Sequence, residues 1–141
     1  MSRARSLARR CVLQALYQWQ VGDDSVEEVV RQFEQERGLG RADREYFNQL
    51  FGQVCAGVDE LNEQLKPYLD IPVDELDPVE RSVLWFAAQE LLHGLEIPYK
   101  VVINEAVEQA RLFGGEESFK FVNAVLDKMA AQVRSSERAR G

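Results

Sequence analysis

The side chains of this sequence best suited to act on another molecule are cations set beside planar groups. Arg3, Arg5, Arg9 and Arg10 lie within the first ten residues, and Gln14 and Tyr17 follow one and two helical turns later. Guanidinium groups neutralise phosphates, and amide or aromatic side chains bond to bases or stack on them, so this combination suits a strand of RNA. Lys120 and Phe121 repeat the pairing of cation and aromatic far downstream. Both features have plainer counterparts. An arginine-rich stretch is also what a solvated helical face looks like, and Phe121 fits a core position equally well. A membrane-surface helix is disfavoured because small residues such as Ala8, Cys11 and Ala15 suit helix packing better than lipid insertion.

Catalytic chemistry has little to start from. His93 is the one imidazole, and its place beside Gly94 at the end of a helical pattern suggests contact with terminal carbonyls rather than general base work. Cys11 and Cys55 are far apart, form no CxxC pair and have apolar neighbours, which predicts buried, inert thiols. Gly114 and Gly115 would resemble a phosphate cradle, but Glu116 and Glu117 follow and would repel an anion, so a helix stop is the better reading. The acidic pairs Asp23-Asp24 and Asp59-Glu60 lack the spacing of a calcium loop. The expectation is a chain that is not an enzyme and holds neither metal nor cofactor.

The elements that must position these groups read as helices throughout. Ala8, Cys11, Val12, Ala15, Leu16 and Trp19 recur at spacings of three and four, which makes the first stretch amphipathic, with its arginines predicted to face solvent. Ser25 and Glu28 form a capping-box pattern for a second helix that Gly38 and Gly40 stop. A third and longest pattern runs from Asp43 to Pro67 and is expected to be the central strut. Asp77-Pro78-Val79-Glu80 starts a fourth, Ile97-Pro98 a fifth and Ser118 a sixth. No alternating strand pattern interrupts them, so the fold class is all-α, one compact bundle of six or seven helices. Residues 1–133 are expected to form a single domain, and the polar, basic residues 134–141 a disordered tail.

The net charge of -7 argues against nucleic acid only on average. Residues 1–22 hold four arginines and no acid, whereas residues 23–80 hold 16 acids against five bases. A basic head and an acidic middle are the result. No window has the apolar length of a membrane span, and the first residues lack a signal-peptide core, so a cytoplasmic location and no membrane partner are expected.

Several blocks resemble the NusB family of bacterial transcription antitermination factors. They are Arg5, Ala8 and Arg9 followed by Gln14-Ala15-Leu16-Tyr17-x-Trp19-Gln20, then Lys66-Pro67-Tyr68, then residues 97–106 (IPYKVVINEA), and finally Ser118-x-Lys120-Phe121-Val122-Asn123-x-Val125-Leu126-Asp127-Lys128. Ala124 stands where the family commonly has Gly. The resemblance implies two packed helical subbundles and a non-catalytic RNA-binding adaptor. It further implies pairing with NusE, which is also a small-subunit ribosomal protein, on boxA-type single-stranded RNA within the transcription elongation complex, in antitermination of ribosomal RNA operons. The RNA-binding candidates are then Arg5, Arg9, Arg10, Gln14, Tyr17, Lys120 and Phe121. Those for the basic partner protein are Glu80, Glu105 and Glu117; the plainer role for Glu80 is that of a helix-cap acid. The alternative reading is a homodimer acting mainly through protein contacts, with weak RNA binding or none.

Overall fold

The computed structural model describes residues 2–140, apart from the side chain of residue 37; Met1 and Gly141 lie outside that description. Among the described residues the chain is all-α, with eight α-helices and no strand. These are α1 (Arg3–Val21), α2 (Val26–Gln32), α3 (Arg44–Ala56), α4 (Val58–Leu65), α5 (Pro78–His93), α6 (Tyr99–Gly114), α7 (Glu116–Val133) and α8 (Ser135–Arg140).

Local sequence signals set most of the boundaries. The Ser25 hydroxyl accepts from the Glu28 N–H while the Glu28 carboxylate accepts from the Ser25 N–H, the reciprocal box that satisfies two orphan donors. After α2 the chain makes a π-helical turn over Phe33–Arg37, and Gly38 ends it at a φ of +70°, a left-handed conformation that favours glycine. The Asp77 carboxylate caps α5 by accepting from the Val79 N–H at 2.8 Å, with Pro78 at the first helical position. Gly115, at a φ of +88°, separates α6 from α7.

Helices α1, α2 and α3 pack together, α5, α6 and α7 form a second group, and α1 lies against α5 and α6 to join them. The continuous pattern from Asp43 to Pro67 is divided at Gly57 into α3 and α4, which is one reason the count exceeds six or seven. The central strut is not this segment but α5, where every residue from Ser82 to Leu91 is buried. A helix surrounded on all sides needs apolar or paired groups all round, whereas a one-sided stripe marks a peripheral helix. In the loop before α5, Arg81 donates to the carbonyls of Val73, Asp74 and Leu76 at 2.7 to 3.0 Å, tying residues 73–76 to the strut.

The segment expected to be a polar tail forms α8 over Ser135–Arg140, preceded by Arg134. Arg134 is 5% exposed and donates to the carbonyls of Glu90, Leu91, Gly94 and Ile97 at 2.8 to 3.1 Å. The last carbonyls of a helix lack intrahelical donors; the guanidinium supplies one to Leu91 and to Ile97 in the following loop, and adds a second to Glu90 and Gly94, which already accept the N–H groups of Gly94 and Ile97. Arg134 also pairs with Glu137 at 2.5 Å, and Glu137 accepts from the Tyr99 N–H at 2.9 Å at the start of α6. That N–H and the pull of Arg134 hold the Glu137 carboxyl below the usual range. His93, read as the group meeting those carbonyls, turns outward instead, with Nε2 2.9 Å from the Glu60 carboxylate. Neither cysteine is fully buried as expected; both are half-buried, and burial pushes the Cys55 thiol up to about 12, which keeps it protonated at neutral pH.

Arg134→Ala should therefore lower unfolding free energy by about 2 kcal/mol, since it removes the donor of the buried Leu91 and Ile97 carbonyls and the cation beside Glu137. Arg138→Ala, in the same helix segment but partly exposed, should cost under about 1 kcal/mol. Urea melts of the two variants measure both, and equally small losses would show that the α5 terminus does not depend on Arg134.

Candidate functional site

The outer face of α1 carries the first group of candidates. Residues at helical spacing along it, Arg3, Arg10, Tyr17 and Val21, are exposed, and Gln14 between them is half-buried. Arg3 and Arg10 have no carboxylate within ion-pair distance among the described residues, so their charge is available to a ligand. Arg5 is half-buried, with its guanidinium 4.3 Å above the Tyr46 ring and 4.0 Å from Asp43.

Arg9 does not face solvent. It is 1% exposed and donates through Nε to Glu90 at 2.9 and 3.2 Å and through Nη1 to Glu105 at 3.2 Å. The Tyr46 hydroxyl donates to the same Glu90 carboxylate, and Ser6 donates to Glu105 at 3.1 Å. Four helices, α1, α3, α5 and α6, thus meet at one buried polar cluster. Burial pushes the Glu90 carboxyl above its ordinary value against the pull of Arg9 and Tyr46. It also raises the Tyr46 phenol, with Glu90 adding to the effect. Burial lowers the Arg9 guanidinium, but Glu90, Tyr46 and Glu105 together hold it above its usual range. The same cluster removes Glu105, 8% exposed, from the surface proposed for a protein partner. A signal for Arg9 was present, since it precedes Leu13 and Leu16 by four and seven residues and so shares their face. Tyr46 and Glu90 carried no comparable sign beyond a lone acid in the apolar run of α5.

At the other end of α1, Leu13, Gln14, Tyr17, Gln18 and Val21 line a groove of about 470 Å³ with Val79 and Phe113. Its apolar character is exposed: Val21 is more than half accessible, and Tyr17 and Phe113 about two-fifths. Glu80 adjoins Val79 at the start of α5, half-buried, and accepts from the Ser118 hydroxyl at 2.8 Å. Glu117, whose side chain is 91% exposed, lies 3.7 Å from Lys120. The close approach of α7 to α6 here depends on Gly114, where an added Cβ would sit 2.7 Å from the Ser118 Cβ.

Lys120 and Phe121 come from a different helix than the basic head. They lie on α7, which packs mainly on α5, α6 and the Lys66–Tyr68 turn, while α1 packs mainly on α3 and α5. Lys120 is exposed, and Phe121 is half-buried against the core. No group of three or more His, Cys, Asp or Glu among the described residues is arranged to hold a metal ion, and no described helix is long and apolar enough to cross a membrane.

A sequence profile of the NusB family matches residues 6–131. The chain belongs to the NusB family. The transcription antitermination protein NusB of Alcanivorax borkumensis is 49% identical over 134 residues, which cover 95% of this chain and 89% of that protein. Among solved structures, NusB of T. maritima superposes with a TM-score of 0.83 at 28% identity, covering 99% of each chain. A chain from a crystal structure of the antitermination factors NusB and NusE in complex with dsRNA gives a TM-score of 0.73 at 25% identity, covering 92% of this chain and 97% of that one. The all-helical NusB fold expected from the sequence is thereby established.

Two neighbouring arginines should respond differently to substitution. Arg9→Ala leaves two buried carboxylates without their cation and should cost about 3–5 kcal/mol of stability. Arg10→Ala should leave the melting temperature nearly unchanged and make RNA binding less salt-dependent, by roughly 0.7 in the slope of log affinity against log salt for a phosphate it neutralises. Thermal melts and salt titrations distinguish the roles, and a stable Arg9→Ala protein would contradict the buried pairing. Phe121→Ala should affect both properties, losing about 1–2 kcal/mol of stability from its packed edge and about 1–3 kcal/mol of RNA binding from its open one. Unchanged RNA affinity would assign Phe121 to the core alone.

Proposed function

We propose that this chain is a non-catalytic RNA-binding adaptor of bacterial transcription. Together with NusE it holds boxA-type single-stranded RNA in the cytoplasm and supports antitermination on ribosomal RNA operons as part of the elongation complex. The observation that carries this reading is the outer face of α1, which bears unpaired cations in its first half and the wall of an exposed apolar groove in its second. One rigid helix therefore offers a strand of phosphates and a folded protein adjacent positions. Family membership and the solved complex of NusB, NusE and dsRNA support the same pairing of ligands.

The groove suits a basic ribosomal protein. Its apolar floor provides burial, and Glu80 and the exposed Glu117 near the start of α7 supply charge of the opposite sign, which favours encounter and orientation. Glu105 has no part in this docking, being committed to Arg9. Gln14 and Tyr17 sit at the junction between the two regions, where they touch the partner and the nearest part of the RNA. The same apolar face would be covered by a second copy of the chain in a homodimer, and sedimentation with and without NusE tells the two states apart.

Calorimetric titration with boxA-like RNA and NusE, added in both orders, tests the proposal. NusE must tighten RNA binding by the same factor by which RNA tightens NusE binding. Glu80→Lys should weaken the NusE complex strongly at low salt and less at high salt, and leave the RNA affinity of the isolated protein intact. Loss of a helix-cap role alone would lower stability by about 0.5–2 kcal/mol and leave NusE affinity unchanged. Failure of the chain to prefer a single-stranded boxA-like RNA over a duplex of the same sequence would refute the boxA assignment.

A further inference from the structure

We infer that the loop at residues 38–43 and the first residue of α3 extend the RNA track beyond the N-terminal end of α1, through Arg41 and Arg44; this rests on the RNA-binding function proposed above. The loop belongs to the link between α2 and α3, outside the basic head and outside every motif that carries the family resemblance. Its backbone is nevertheless fastened to that head, because the Asp43 N–H donates to the Ala4 carbonyl at 2.9 Å. Arg3, exposed and unpaired among the described residues, is the neighbour of Ala4, so the loop and the first turn of α1 present their cations from one region.

The loop is also built to hold its shape. Leu39 is 7% exposed and anchors it in the core, and the Ala42 N–H closes a turn onto the Leu39 carbonyl at 2.9 Å. Gly38 and Gly40 take left-handed φ values of +70° and +58°, which a side chain would strain. Between these fixed points Arg41 is exposed and has no carboxylate within ion-pair distance among the described residues. Arg44 has a side chain 66% exposed and lies 3.9 Å from Glu34, a distance and exposure that leave the guanidinium free to exchange partners. Two acids beside the loop have further partners of their own. The Asp43 carboxylate accepts from the Tyr46 N–H at 3.0 Å as the cap of α3 and lies 4.0 Å from Arg5, and Glu34 accepts from Asn48 at 3.3 Å.

A preorganised pair of arginines with no aromatic platform grips phosphates rather than bases, so the expected ligand is the backbone of RNA flanking the boxA-like stretch, bound without sequence preference. The test uses the complex with NusE and two RNAs, one of boxA length and one extended at both ends. Arg41→Ala/Arg44→Ala should weaken binding of the longer RNA and make its salt slope shallower by roughly 0.7 for each phosphate no longer neutralised, while the short RNA binds as before. Arg41→Lys/Arg44→Lys should restore most of the affinity. An unchanged slope on the longer RNA, or equal weakening on both RNAs, would overturn the loop assignment while leaving RNA binding itself in place. Absence of binding to either RNA by the unsubstituted chain would overturn both together.

Discussion

The arrangement of the molecule depends on Arg9, buried between Glu90 and Glu105 with Tyr46 closing the cluster. Charges removed from water are costly unless paired and hydrogen-bonded, so this guanidinium constrains the positions of α1, α5 and α6 at once. Apolar packing alone would tolerate small slips between the two helical groups. A guanidinium bonded to both oxygens of one carboxylate and to a second carboxylate tolerates few, because each displacement leaves a buried donor or acceptor without its partner.

That constraint bears directly on function. The rotation of α1 about its own axis is set by which residues it buries, and burying Arg9 with Val12, Leu13 and Leu16 turns Arg3, Arg10, Tyr17 and Val21 outward. The ligand-facing stripe is thus a consequence of the buried one. At the far end, Val79 and Phe113 complete the groove beside Tyr17, on α5 and α6, two helices that Arg134 and Glu137 tie together where one ends and the other begins. Arg134 and the polar last helix that follows it fix a junction of the core by serving carbonyls and an N–H rather than by burying apolar area.

An adaptor built in this way needs little motion to connect its ligands. The exposed cations and the apolar groove lie along one helix and its immediate neighbours, so on the function proposed above ligands bound at both would meet at Gln14 and Tyr17 and could couple without a change of fold.

Much of this was written in the sequence. The helical period marked the buried faces of α3 and α4, Ser25 with Glu28 and Asp77 with Pro78 marked two helix starts, and Gly115 marked a stop, because each of these signals acts within a turn or two of chain. The blocks around Tyr17, Tyr99 and Phe121 were enough to indicate the family. What only the tertiary structure decided was the fate of charges whose partners are distant in sequence. Arg9 and Glu90 are 81 residues apart, and Arg134 lies 43 residues from the carbonyl of Leu91. Read locally, Arg9 and Glu105 are surface groups and Arg134 belongs to a frayed end, since a charged side chain far from any visible partner belongs in water. The fold supplies the partner, and with it the reason for burial.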